Sequence, residues 1–308
     1  MIHAIIDLGS NSIRLSVYEI SGESWSRLYS GKRMAGLASY VEKGVLSQEG
    51  ISRACEVLRD FRVQLENSVV ESVSVFATAS LRNVKNTAEA TGIIEEATGY
   101  PIEVLSGSDE AVLGYYGARP DCDSDSGILV DIGGGSTELV FFEAGKAEKA
   151  QSLPIGSLEL YARSVSKFLP KSKELARMKE QIRSVLEKAG IDNYPHREKL
   201  YGIGGTSRAA AKLANRRFLL DSSNRTISSA QLTELRRLLC DGGDEARSLI
   251  LRTCPERVHT IVPGLLILDS IVRKTQTEKR PSVLTGSGRA ICASGLSRSS
   301  SKKTGRIS

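Results

Sequence analysis

The chain has 308 residues, more than one ordinary domain holds and comfortable for two of about 150 residues each. It is 40% hydrophobic and 25% charged, the balance of a globular chain that buries a core without metal or disulfide staples. A net charge of +6 favours anionic partners, and only 5% aromatic residues speaks against a single-strand nucleic-acid binder, which needs stacking platforms.

An internal echo organises the chain. Residues 5–19 read IIDLGSNSIRLSVYE and residues 129–143 read LVDIGGGSTELVFFE, 124 residues apart. Asp7/Asp131, Gly9/Gly133, Ser12/Ser136, Leu15/Leu139 and Glu19/Glu143 are identical without gaps. Each copy predicts a strand, a turn of small residues and a second strand, hence a hairpin with an Asp near its tip. After the first hairpin, apolar spacing predicts a helix over 47–66 with Ser47 as N-cap, a strand over 69–78 and a helix over 86–98. A short strand over 102–105 follows, then a helix starting near Ser106–Ser108. The acidic, polar run 121–127 reads as a domain boundary.

After the second hairpin the pattern predicts helices over 157–167 and 172–189, a strand over 199–203 and helices over 228–240 and 260–274. The expected domains are 1–123 and 124–296, followed by a basic disordered tail at 297–308. Five isolated cysteines and three isolated histidines form no disulfide framework and no zinc set. Asp7 interrupts the N-terminal apolar run, no basic stretch precedes it, and no apolar run approaches about 20 residues. The expectation is a cytoplasmic protein with no membrane and no nucleic-acid partner.

Chemistry concentrates in three glycine-rich turns. Small residues let backbone N–H groups approach an anion, and Gly133-Gly134-Gly135-Ser136 offers several such positions in succession. Asp131 and Glu138 flank that tip and return to one end of the sheet. Two carboxylates with waters and phosphate oxygens suit Mg²⁺, with Mn²⁺ as the alternative. Gly204-Gly205-Thr206, between a strand and a helix, is the third glycine-rich loop and an anion-binding candidate that lacks the Walker spacing. Arg82 follows a strand, where a guanidinium can clamp phosphate oxygens or simply be solvated. Ser106-Gly107-Ser108-Asp109-Glu110 reads on its own as an ordinary capped helix start.

Together the segments 5–17, 77–86, 102–111, 129–140, 153–157 and 201–213 resemble the exopolyphosphatase/guanosine-pentaphosphate phosphohydrolase family. The resemblance implies an α/β fold of two actin-like, ribonuclease H-like domains of the actin, sugar-kinase and heat-shock ATPase superfamily, with a cleft between them. It implies that Glu110 is the general base on the attacking water. Asp131 and Glu138 match the acidic pair at the metal and scissile phosphate. Asn11, Ser12, Gly133, Gly134 and Ser136 match the phosphate-cradling tips, Arg82 a substrate arginine, and Gly204, Gly205 and Thr206 the later phosphate loop. Arg208 and Arg289 are candidates for holding the rest of a polyanion.

The implied activity is an exopolyphosphatase that releases orthophosphate from the end of inorganic polyphosphate. The alternatives are hydrolysis of the guanosine pentaphosphate 5′-phosphate and a non-catalytic polyphosphate or nucleotide-binding regulator; a sugar kinase is disfavoured by the Glu110 context. Guanosine tetraphosphate is a further candidate ligand, and a homodimer is a family expectation. The chain departs from the family at Arg289-Ala290-Ile291, where a Glu and a Gly are expected after the Arg, and the expectation is the two-domain core without an HD-type helical extension.

Overall fold

The structure is a computed structural model that describes residues 1–22, 24–66, 68–275 and 282–285. It divides into two compact units, one from Met1 to Leu113 and one beginning at Gly114.

The first unit opens with an antiparallel meander, β1 (Ile2–Leu8), β2 (Ser12–Ser21) and β3 (Ser24–Met34), then a two-stranded pair, β4 (Val41–Glu42) and β5 (Val45–Leu46). Then come α1 (Gln48–Glu66), β6 (Ser72–Ala77), α2 (Ala79–Arg82), α3 (Thr87–Thr98), β7 (Ile102–Val104) and α4 (Gly107–Ala118). The main sheet has the order β3-β2-β1-β6-β7, with β6 and β7 parallel to β1. Alternation places Ile6, Leu8, Ile13, Leu15 and Val17 on one face, against Ile51, Ala54, Leu58 and Phe61 of α1. Ile5, Tyr18 and Phe76 pack on the other face with Leu105 and Leu113. Ser47 caps α1 as expected, its Oγ accepting from the Gly50 N–H at 3.3 Å.

The second unit repeats the plan. A meander of β8 (Gly127–Ile132), β9 (Thr137–Glu143) and β10 (Lys146–Leu153) leads to α5 (Ser157–Ser164) and α6 (Ser172–Lys188). Next are β11 (Lys199–Ile203), α7 (Gly204–Arg217), β12 (Thr226–Ser228), α8 (Ser229–Asp241), α9 (Asp244–Thr253), α10 (Ile261–Thr275) and β13 (Ser282–Thr285). The order is β10-β9-β8-β11-β13-β12, with β8, β11 and β13 parallel and β12 added antiparallel at the edge. Third, second and first strand, then two parallel strands, is thus the order in both units. This is the ribonuclease H-like arrangement of actin-like domains, and the sequence echo is its first hairpin written twice. α10 is apolar almost all round because α5, α6, α7 and α8 surround it.

The division at Leu113/Gly114 lies inside α4, not at 123/124 in the acidic run. Leu113 packs with Ile5 and Tyr18 in the first unit, whereas Tyr115 packs against Phe142 in the second at 5.0 Å between ring centroids. The acidic run is tied into the second unit: Asp123 accepts from the Tyr201 hydroxyl at 2.5 Å and from Lys199 Nζ at 2.8 Å. Cys55, Cys122, Cys240 and Cys254 are free thiols. Among the described residues no helix is long and apolar enough to cross a membrane. Arg289-Ala290-Ile291 and the 297–308 tail lie outside the described residues.

Candidate functional site

The two echoed tips are built on the same principle. In each, the turn is closed by an N–H to carbonyl bond at equivalent positions, Gly9 to Ser12 at 3.2 Å and Gly133 to Ser136 at 2.9 Å. The tip carbonyls are then held from behind. In the first unit the Ser10 carbonyl accepts from Ala38 N–H, and the Asn11 carbonyl accepts from Ala35 and Gly36. In the second, the Gly133 carbonyl accepts from the N–H and Oγ of Ser157, and the Gly134 carbonyl from the N–H groups of Leu158 and Glu159, all at 2.9–3.0 Å. A trans peptide points its C=O and N–H opposite ways. Engaging those carbonyls therefore turns the N–H groups of Asn11 and Ser12, and of Gly134 and Gly135, away from the supporting segments. Among the described residues the Gly134 and Gly135 N–H groups have no acceptor. Outward N–H groups in succession are an anion cradle. The Ser136 side chain is itself buried.

Gly156 makes the second tip possible. A Cβ there would lie 2.3 Å from Gly134 C and O and from Gly135 N, so only glycine lets the start of α5 reach the loop.

The third loop opens α7 at Gly204, which has φ +74°. A Cβ on Gly204 would lie 2.1 Å from Asp131 Oδ1, and one on Gly205 would lie 1.8 Å from Arg257 Nη2. The glycine pair thus admits a carboxylate at the first position and a guanidinium at the second. No side chain caps this helix start, so its N–H groups and dipole are available to an anion. Thr206 offers only its backbone: its side chain is 2% exposed and its Oγ1 donates to the Ile132 carbonyl at 3.1 Å. Arg257 was invisible to sequence reasoning, since Pro255-Glu256-Arg257 carries no motif. Among the described residues it has no carboxylate partner.

Asp131 and Glu138 are directly opposite each other across β8 and β9, as a hairpin requires. Opposed Cβ atoms sit about 4.5–5.5 Å apart. Glu138 is 4% exposed and accepts from Ser152 Oγ at 2.8 Å, which fixes its carboxylate. Among the described residues no group of three or more His, Cys, Asp or Glu gathers. A pair of neighbouring carboxylates nevertheless fits Mg²⁺, which takes few protein ligands and keeps most of its shell as water and substrate oxygen.

In the first unit, Ser80 Oγ hydrogen-bonds the Leu8 carbonyl at the end of β1 and so fixes α2. Arg82, the last residue of α2, donates Nη1 to the Leu105 carbonyl at 3.1 Å and to Glu110 Oε2 at 2.6 Å. Glu110 is 8% exposed, although it lies in the first turn of α4. Its neighbours do behave as an ordinary helix start: Ser106 Oγ accepts from Asp109 N–H and donates to Asp109 Oδ2. Glu110 differs in being turned inward, with its charge held by a guanidinium and a helix N-terminus. Such a group can order and accept a proton from a water. Arg208 lies half-buried in α7.

The family model for the Ppx/GppA phosphatase family matches residues 16–286. Solved structures share the fold. One is an exopolyphosphatase from Cytophaga hutchinsonii, 22% identical, with a TM-score of 0.81 and 97% of each chain covered. Another is the Ppx/GppA family member of Aquifex aeolicus, 24% identical, with a TM-score of 0.77, covering 98% of this chain and 99% of that one. With its duplicated hairpins, its inward Glu110 and a family match over most of its length, the chain belongs to the Ppx/GppA phosphatase family.

Proposed function

We propose that this phosphatase is an exopolyphosphatase, releasing orthophosphate from the end of inorganic polyphosphate. The observation that carries the reading is Glu110, a carboxylate kept inside the protein and ion-paired at 2.6 Å to Arg82. An acid that only complements the helix dipole does so equally well from a solvated position.

In the reaction, Glu110 orients a water and takes its proton as the water oxygen bonds to the terminal phosphorus. The bridging P–O bond breaks, and its electrons stay on the shortened chain. In the first unit the N–H groups of Asn11 and Ser12 would hold phosphate oxygens; in the second, those of Gly134 and Gly135 and of the start of α7 would do the same. Arg82 in the first unit and Arg257 in the second each offer a guanidinium to such oxygens. Asp131 and Glu138 would hold Mg²⁺, which when bound neutralises phosphate oxygens. Catalysis of this kind is mostly positioning, which explains a site assembled from backbone.

The test is phosphate release from polyphosphate, with Mg²⁺ and with chelator, by wild type and Glu110→Gln. Guanosine pentaphosphate runs in parallel. Metal-dependent release that falls by about 10²–10⁴ in the Gln variant is expected. Release from guanosine pentaphosphate alone transfers the assignment to the 5′-phosphohydrolase. Tight polyphosphate binding with no release from either substrate would make the protein a binder and refute the reading.

A further inference from the structure

β3 is an edge strand of eleven residues that is exposed along most of its length. Its pairing with β2 sets Arg14 opposite Lys32, Ser16 opposite Ser30 and Tyr18 opposite Arg27. By alternation, and with one register shift between Val17 and Tyr18, these positions share one face. Arg14, Lys32 and Arg27 thus form a cationic row. Asp7, paired with Arg14 across β1, stands at its inner end. The row starts beside the Ser10–Ser12 tip and runs four residues along β2, about 13 Å at roughly 3.3 Å per residue.

Many of the described arginines are paired with carboxylates, for example with Glu56, Glu110, Asp125, Glu143 and Asp269. Arg14 and Arg27 have no carboxylate partner among the described residues. Charge from Arg14 and Arg27 along an exposed edge strand attracts an extended polyanion. The aromatic distribution decides which kind. Trp25 is the aromatic residue of β3 on this face, and it packs edge-on against Tyr18 at 5.6 Å. The exposed Tyr29 pairs with Val17 and points to the other face. Stacking platforms for bases are therefore poor here, while phosphate needs none.

We infer that the exposed β3 side of this face is a track for the trailing phosphates of a linear polyphosphate whose end is held at the Ser10–Ser12 tip. The inference rests on the polyphosphate reading above. Its test measures binding, so that its failure and that of the proposed reaction are distinguishable.

Long-chain polyphosphate and tripolyphosphate are titrated against the Glu110→Gln protein over a salt series, with and without Arg27→Glu, Arg27→Gln or Arg27→Lys. Arg27→Glu is expected to weaken long-chain binding by about tenfold and Arg27→Gln by severalfold. The slope of log affinity against log salt falls in magnitude by about one in Arg27→Gln. Arg27→Lys retains binding, and tripolyphosphate, too short to reach Arg27, binds unchanged in every variant. Long-chain affinity within twofold of the parent in Arg27→Glu overturns the track, as does an equal loss for tripolyphosphate. So does a single-stranded oligonucleotide that binds as tightly with the same dependence on Arg27. Absence of hydrolysis by the wild type refutes the proposed reaction, and the binding outcomes still decide the track.

Discussion

The second hairpin tip depends on one missing methyl group. Gly156→Ala places a Cβ at 2.3 Å from Gly134 C and O and Gly135 N, where van der Waals contact needs more than 3.4 Å. These are backbone atoms, so no side chain can swing away. The loop and the start of α5 must separate by about 1 Å, the overpacking cost of which is about 1–3 kcal/mol. Separation also strains the bonds from Ser157, Leu158 and Glu159 to the Gly133 and Gly134 carbonyls, each worth about 1 kcal/mol net. A total of about 2–4 kcal/mol follows, a fall in Tm of about 5–15 °C for a unit of this size. Phosphate release measured well below both transitions drops further, because released carbonyls let the Gly134 and Gly135 N–H groups rotate off target. Gly92→Ala is the matched control. A Cβ at Gly92, exposed within α3, meets nothing within 4 Å. The same methyl there raises stability by about 0.5–1 kcal/mol through helix propensity. A Gly156→Ala protein with wild-type Tm and turnover would refute the account of how the tip is held.

Arg257→Ala should lower kcat/KM by about 10–10³-fold at unchanged Tm if the guanidinium serves phosphate; a loss of Tm without that kinetic effect would assign it to packing. Burial lowers the pKa of His3, whose Nδ1 hydrogen-bonds Ser72 Oγ at 2.6 Å. Its unfolded state therefore binds the proton more readily, and stability held above pH 6.5 declines as pH falls from there toward the depressed folded value. Denaturant midpoints between pH 8 and 5.5 should show that decline, and His3→Gln should flatten it; an unchanged slope refutes the assignment. Leu219, 93% exposed at φ +53°, holds a left-handed conformation that costs a branched residue about 1–2 kcal/mol. Leu219→Gly should stabilise by about 0.5–1 kcal/mol after glycine's extra chain entropy, read as a higher urea midpoint with the m-value constant.

What could be read from the sequence tracks how local each feature is. The hairpins were legible because strand, small-residue turn and strand are contiguous, and because the echo supplied a second copy. β3 and β10 were not anticipated. Both are edge strands, and an exposed edge has no buried face to impose alternation: SWSRLYSGKRM and KAEKAQSL read as polar connectors. The strand expected over 69–78 is Ser72–Ala77, and the helix expected over 157–167 ends at Ser164. The acidic run looked like a linker because its polarity is local, whereas Asp123 is bound by Lys199 and Tyr201 from β11, far along the chain. Glu110 shows the same limit inside a site. Its first-turn position predicts a solvated, dipole-stabilising acid, and only Arg82, 28 residues earlier, turns it inward. Arg257 is reached only through its packing on Gly205.

The two tips also show what duplication conserved. Both face one physical problem: a turn whose N–H groups must point outward needs its carbonyls satisfied from behind. In the first unit the partners come from the segment after β3, at Ala35, Gly36 and Ala38; in the second they come from the N-terminal turn of α5. The engaged carbonyls differ too, Ser10 and Asn11 against Gly133 and Gly134, one position out of register with the sequence echo. A helix start brings several N–H groups to one place, and it must come close to deliver them. That demand explains Gly156, and it explains why the second tip is a run of three glycines while the first tolerates Ser10 and Asn11. The identity of Asp7 with Asp131 therefore reflects a shared hairpin, while the unlike tips reflect unlike supports. Exchanging Gly134-Gly135 for Ser-Asn, the residues of the first tip, should consequently fail: the added side chains would stand where α5 packs, and Tm and turnover should fall together. A fully active, equally stable exchange would show that the support from α5 leaves room for side chains, against the 2.3 Å approach of Gly156.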